Sequence, residues 1–85
     1  MLMKYSIKFE KSAVKFLNKL TKEQRIRIYE AIKRLPQGSD IKKLKNKNLY
    51  RLRIGKIRVI YAIDNGMYII NVINIDSRGQ VYNNL

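Results

Sequence analysis

Three arginines, Arg51, Arg53 and Arg58, flank the pair Gly55-Lys56 inside a run, Tyr50 to Tyr61, that is otherwise apolar and aromatic. Guanidinium groups are planar, permanently charged and suited to bidentate contact with phosphate. Brought together, three of them would cradle a nucleic-acid backbone and stabilise negative charge building up on a phosphorus centre. Convergence depends on the element that carries them. Alternating β-branched and aromatic residues on both sides of a glycine-led pair predict a two-stranded hairpin with a type II′ turn. In that register Ile54 faces Ile57, Arg53 faces Arg58, Leu52 faces Val59, Arg51 faces Ile60 and Tyr50 faces Tyr61. Side chains alternate between the faces of a sheet, so Tyr50, Leu52, Ile54, Ile57, Val59 and Tyr61 share a buried face. The three arginines share the other. Opposed like charges destabilise a strand pair, within the roughly 0.2–1 kcal/mol range of cross-strand effects. Stability gives no reason for the cluster, and phosphate binding does; the alternative is a solvated face on a basic protein.

The rest of the chain is as cationic as its centre. Nineteen Lys and Arg against six Asp and Glu give a formal net charge of +13 over 85 residues, which points to a polyanionic partner. With no cysteine and no histidine, a disulfide framework, a thiolate nucleophile, a structural zinc site and an imidazole base are all excluded. No metal and no cofactor are expected. Lys4, Lys8 and Glu10 interrupt the N-terminal apolar residues, no apolar run approaches the 18 or so that span a membrane, and no basic amphipathic helix offers Trp or Phe for insertion. The expectation is a cytoplasmic protein that does not engage a membrane. A hydrophobic content of 46%, one proline and four glycines describe a folding sequence, read as a single domain over 1–85.

Taken in order, the chain predicts the elements that must position the arginines. Met3 to Phe9 alternates as a half-buried strand, with Tyr5, Ile7 and Phe9 on one side. A helix over about Glu10 to Leu20 follows, with Ala13, Phe16, Leu17 and Leu20 on one stripe and Lys11, Lys15 and Lys19 on an exposed line. Thr21 and Gln24 have the spacing of a capping box and start a second helix near Lys22. That helix buries Ile28, Ile32 and Leu35 and stops before Pro36, which disfavours helical geometry in its predecessor. Gln37 to Asp40 reads as a loop and Ile41 to Asn48 as a connector carrying Lys42, Lys43, Lys45 and Lys47. After the central hairpin, Asp64-Asn65-Gly66 predicts a second one with Asn65-Gly66 as its loop, returning a strand over Met67 to Ile75. Ile60 then faces Asn71 and Arg58 faces Ile73, so that Asn71 joins the arginine face. A polar turn, Asp76 to Tyr82, delivers Arg78 and Tyr82 from the end of the sheet. The architecture is α+β: an N-terminal strand, a helix hairpin and an antiparallel meander, with helices on one face and cations on the other.

Almost the whole chain resembles the RelE/ParE superfamily of small toxins from toxin–antitoxin modules. The resemblance is carried by Lys43-Leu44-Lys45, by Tyr50-Arg51-Leu52-Arg53-Ile54-Gly55 leading into Arg58-Val59-Ile60-Tyr61, and by Ser77-Arg78-Gly79-Gln80-Val81-Tyr82. Each piece is weak alone; their order, spacing and number are specific together. RelE-like members are ribosome-dependent endoribonucleases that cut mRNA in the ribosomal A site, and ParE-like members poison DNA gyrase on a closely similar fold. The resemblance implies the RelE-like microbial RNase fold, a cognate acidic antitoxin as partner, and the ribosome and mRNA as targets. It implies catalytic roles for Arg51, Arg53, Arg58, Arg78 and Tyr82. Nucleic-acid contacts around them are expected from Lys43, Lys45, Lys47, Lys56 and Asn71.

Metal-free RNA cleavage of this kind proceeds by attack of the ribose 2′-OH on the adjacent phosphate, which expels the 5′-oxygen of the next nucleotide. It needs charge stabilisation on the phosphorane, a base for the 2′-OH and an acid for the leaving oxygen. The arginines supply the first, and Arg78 is the best placed to assist the leaving oxygen. Tyr82, Lys45 and Lys47 are the alternative bases, since surrounding cations favour a phenolate and disfavour an ammonium. RelE-like enzymes often have lysine where this chain has Arg51 and Arg53, and many have histidine where it has Ser77. Arginine stays protonated and cannot serve as the base, so both departures bear on proton transfer and leave the positive cradle intact. Two rival functions stand beside the nuclease: a ParE-like gyrase poison, and a non-catalytic RNA- or DNA-binding module or degenerate toxin.

Overall fold

The structure is a computed structural model that describes residues 5–38, 40–44 and 48–77. Strand β1 (Ser6–Phe9) leads into helix α1 (Lys11–Asn18) and helix α2 (Lys22–Lys33). Four further strands follow: β2 (Ile41–Lys43), β3 (Tyr50–Ile54), β4 (Ile57–Asp64) and β5 (Ile69–Asp76). They form one mixed sheet in the order β1-β5-β4-β3-β2, with β1 parallel to β5 and the other pairs antiparallel. The α+β architecture is as expected, with a parallel closing strand added to the meander.

Helix α2 starts where its local chemistry dictates. At the head of α2 the Thr21 hydroxyl accepts from Gln24 N at 3.2 Å while the Gln24 side-chain oxygen accepts from Thr21 N at 3.0 Å, so the capping box is formed in both directions. Both helices cover one face of the sheet. Ala13, Leu17, Ile28, Ile32 and Leu35 pack there against Leu52, Val59, Tyr61, Ile70, Val72 and Ile75, all buried. Each large apolar side chain fully removed from water in this layer contributes about 1.5–3 kcal/mol.

The β3–β4 hairpin has the predicted register at every pair, from Tyr50↔Tyr61 to Ile54↔Ile57. Gly55 takes a φ of +60°, the left-handed region in which a side chain would be strained. Two expectations require correction. Residues 41–43 are an edge strand rather than connector, pairing Ile41↔Leu52, Lys42↔Arg51 and Lys43↔Tyr50. The β4–β5 register also differs: Asp64 pairs with Ile69, which leaves a four-residue loop from Asn65 to Tyr68 in place of a two-residue turn. The Asp64 carboxylate accepts from Met67 N at 3.1 Å, Tyr5 donates its hydroxyl to the Asn65 side chain at 2.8 Å, and Tyr68 rather than Gly66 takes the positive φ. These contacts widen the turn. Ile73 is then an extra residue on β5, because Tyr61 pairs with Val72 and Ile60 with Asn74. Ser12 donates its hydroxyl to the Ile73 carbonyl at 2.7 Å, so the group displaced from the ladder is satisfied by α1.

Candidate nucleic-acid interface

On the face away from the helices, β3 contributes Arg51 and Arg53, and β4 contributes Arg58, directly opposite Arg53. The bulge alters their neighbours on β5: Arg58 lies opposite Asp76, Ile60 opposite Asn74, and Ala62 opposite Asn71. Asn71 therefore does share the arginine face, reached through Ala62 rather than Ile60. Lys8 on β1 pairs with Asn71 and Lys42 on β2 with Arg51, which extends the cationic row to both edges of the sheet. Ile60, fully buried yet outside the main core, lies in the row beside Arg51. Long arginine stems cover apolar surface of this kind while their heads remain available.

The acid in this face is as informative as the base. Asp40, with φ +61°, stands just before β2 and accepts from Arg51 Nη2 at 3.1 Å and from Arg53 Nε at 2.8 Å. Arg53 N donates to the Asp40 carbonyl at 3.1 Å, which ties the aspartate backbone to β3. The like-charge opposition of Arg53 and Arg58 is thereby offset from both sides, by Asp40 next to one and Asp76 across from the other. The Arg51 side chain keeps 17% of its surface exposed against 47% for Arg53, so Arg53 is the more open to a ligand. Arg51 Nε and Asn71 Oδ1 are buried with no hydrogen-bond partner among the described residues.

Lys56 is exposed at the hairpin tip, and Arg27 of α2 reaches the same turn, since a Cβ on Gly55 would lie 3.6 Å from its Nη2. Lys43 pairs with Tyr50 and so lies on the opposite face from the arginines, at the sheet edge. Arg78, Tyr82, Lys45 and Lys47 lie outside the described residues. Sequence reasoning missed Asp40, Lys42 and Arg27. A strand of three residues, Ile41–Lys43, is too short for a pattern to place Lys42, and the contacts of Asp40 and Arg27 are made across the fold and leave no local signal. Among the described residues no group of three His, Cys, Asp or Glu side chains is gathered to hold a metal ion.

Tyr50 and Tyr61 are core aromatics, stacked with ring centroids 5.6 Å apart. The Tyr61 hydroxyl has no hydrogen-bond partner among the described residues, and burial, with the neighbouring Tyr50, pushes its pKa up to about 12. It is a neutral packing group. The chemistry this face can perform is the binding of an extended anion and the neutralisation of charge on it.

A family model described as the ParE toxin of type II toxin–antitoxin systems matches residues 7–82. The chain is 31% identical to RelE from the RelE–RelB complex of Pyrococcus horikoshii OT3, with a TM-score of 0.75 over 92% of this chain and 99% of that one. A toxin–antitoxin complex from Methanococcus jannaschii, RelB–RelE, is 27% identical with a TM-score of 0.72 over 92% and 98% of the two chains. The isolated RelE toxin of E. coli shares the fold, with a TM-score of 0.71 at 20% identity over 94% and 93%. No curated protein matches the sequence significantly.

Proposed function

Since the chain belongs to the RelE/ParE family of type II toxin–antitoxin toxins, we propose that it is a ribosome-dependent endoribonuclease of RelE type whose arginine face binds mRNA. The observation that carries this reading is the common face of Arg51, Arg53 and Arg58, which sets like charges opposite one another in the strand pair and suits a phosphodiester. Attack by the 2′-oxygen forms a bond to phosphorus and breaks the bond to the 5′-oxygen, with one proton lost from the 2′-OH and one gained by the leaving oxygen. Arg51, Arg53 and Arg58 neutralise the charge on the phosphorane. Arg78 is assigned to the leaving oxygen, and Tyr82, Lys45 or Lys47 to the 2′-OH. The similar toxins of P. horikoshii and M. jannaschii are found with RelB antitoxins, and a chain of net charge +13 suits an acidic antitoxin by charge complementarity. The ParE description of the matching family favours a second reading, a gyrase poison in which the helix hairpin is the working surface.

Induced expression in a bacterial host, followed by primer extension on abundant transcripts, separates the two. Growth arrest with in-frame cuts that are lost with Arg53→Ala/Arg58→Ala is the expected result. Arrest without cuts, retained by the variant, favours the gyrase reading.

A further inference from the structure

Asp40 is one of six acids in the chain, and its two oxygens are divided between two guanidiniums, Oδ1 on Arg51 Nη2 at 3.1 Å and Oδ2 on Arg53 Nε at 2.8 Å. A phosphate bridging two arginines uses its non-esterified oxygens in the same way. We propose that the Asp40 carboxylate is an internal counter-ion standing in the place of an RNA phosphate, and that a bound phosphate displaces it from Arg51 and Arg53. This rests on the reading of the arginine face as the RNA-binding surface.

Three features carry the inference. The pair is partly open to water, with Asp40 36% and Arg53 47% exposed, so it is a weak surface pair that is readily exchanged for another anion. The aspartate backbone is fixed by the hydrogen bond from Arg53 N to its carbonyl, so release needs only rotation of the side chain. The carboxylate engages one nitrogen of each guanidinium, leaving the Arg53 head with further donors to receive a phosphate as the carboxylate leaves. In the free protein the carboxylate keeps two arginines in the orientation that a phosphate requires and lowers the affinity of the face for stray anions. Asp40 is thus a specificity-determining residue: only a ligand that rewards displacement through several contacts at once binds well.

The test is the affinity of the purified full chain for a fluorescently labelled single-stranded RNA 12-mer, measured by anisotropy across a salt series. Wild type is compared with Asp40→Asn and with Glu30→Gln, which removes one negative charge from the exposed surface of α2. Asparagine tolerates the left-handed backbone of position 40, and Asp40→Gly, which accepts it freely, is the second variant. The expected result is that both Asp40 variants bind roughly three- to fivefold more tightly than Glu30→Gln with an unchanged salt slope, since the wild type makes the same phosphate contact once the carboxylate has left. Affinity equal to that of Glu30→Gln, or weaker, overturns the displacement and makes Asp40 a simple brace, while salt-dependent binding by the wild type still upholds the RNA-binding face. No binding by any of the proteins overturns both.

Discussion

Among the described residues the buried Tyr61 hydroxyl has no hydrogen-bond partner, and its cost has a signature in pH. The unfolded chain releases the phenolic proton near the ordinary value of 10.0, whereas the folded chain holds it to about 12. Below pH 10 both states are protonated and the group contributes nothing to pH dependence. Between pH 10 and 12 the unfolded state binds fewer protons, so stability falls as pH rises, by up to about 1.4 kcal/mol per unit. Tyr61→Phe removes both the stranded hydroxyl and this slope. Urea midpoints at pH 7 and pH 11 are expected to show the variant stabler by on the order of 1 kcal/mol at neutral pH and by more at alkaline pH. At this scale the sequence was most legible where partners are near neighbours: the three arginines meet because one short turn fixes their register. Asp40 was not legible, because its meeting with Arg51 and Arg53 depends on the edge strand that follows it and on a backbone angle that composition does not reveal.

Among the elements, α2 owes its start to two side chains and its position to the buried Ile28 and Ile32. Thr21→Ala removes the hydroxyl that accepts from Gln24 N, and should cost about 1 kcal/mol, measured as a drop in the urea midpoint. The cap, the buried stripe and the β3–β4 hairpin were all readable, since each is specified within a few residues. The β4–β5 pairing was not. Asn65-Gly66 is a strong local signal for a tight turn, and it lost to the Asp64 carboxylate, to Tyr5 from a distant strand and to Ser12, which accommodates the extra residue on β5. Each of those contacts joins segments that only the assembled sheet brings together. Edge strand β2 was missed because three residues are too few for alternation to declare itself, and because the lysines that suit an exposed edge look like a loop.

For the whole molecule, cations lie on both sides of the sheet. Lys11, Lys15 and Lys19 are exposed on the helical side, while Lys8, Lys42 and the arginines line the open sheet. Binding to single-stranded RNA through Arg51, Arg53 and Arg58 is expected to weaken with salt, with a log–log slope of about −0.7 for each phosphate neutralised. A slope that keeps its value in an Arg53→Ala/Arg58→Ala variant would place the contacts elsewhere. No helix among the described residues is long and apolar enough to cross a membrane.

The order of strands also sets a schedule. Strand β5 sits between β1 and β4, and it carries Ile70, Val72 and Ile75 into the core, although it is the last of the described strands to be synthesised. The opening strand has no sheet to join until residues 69–76 exist, and α1 has no Ile73 carbonyl to receive its Ser12 hydroxyl. Contacts between such distant segments form late, after the entropy of closing a long loop has been overcome. A nascent chain that lacks residues 69–76 therefore leaves β4 with an open edge, and the core that backs the arginine face stays incomplete until the last described strand has been made.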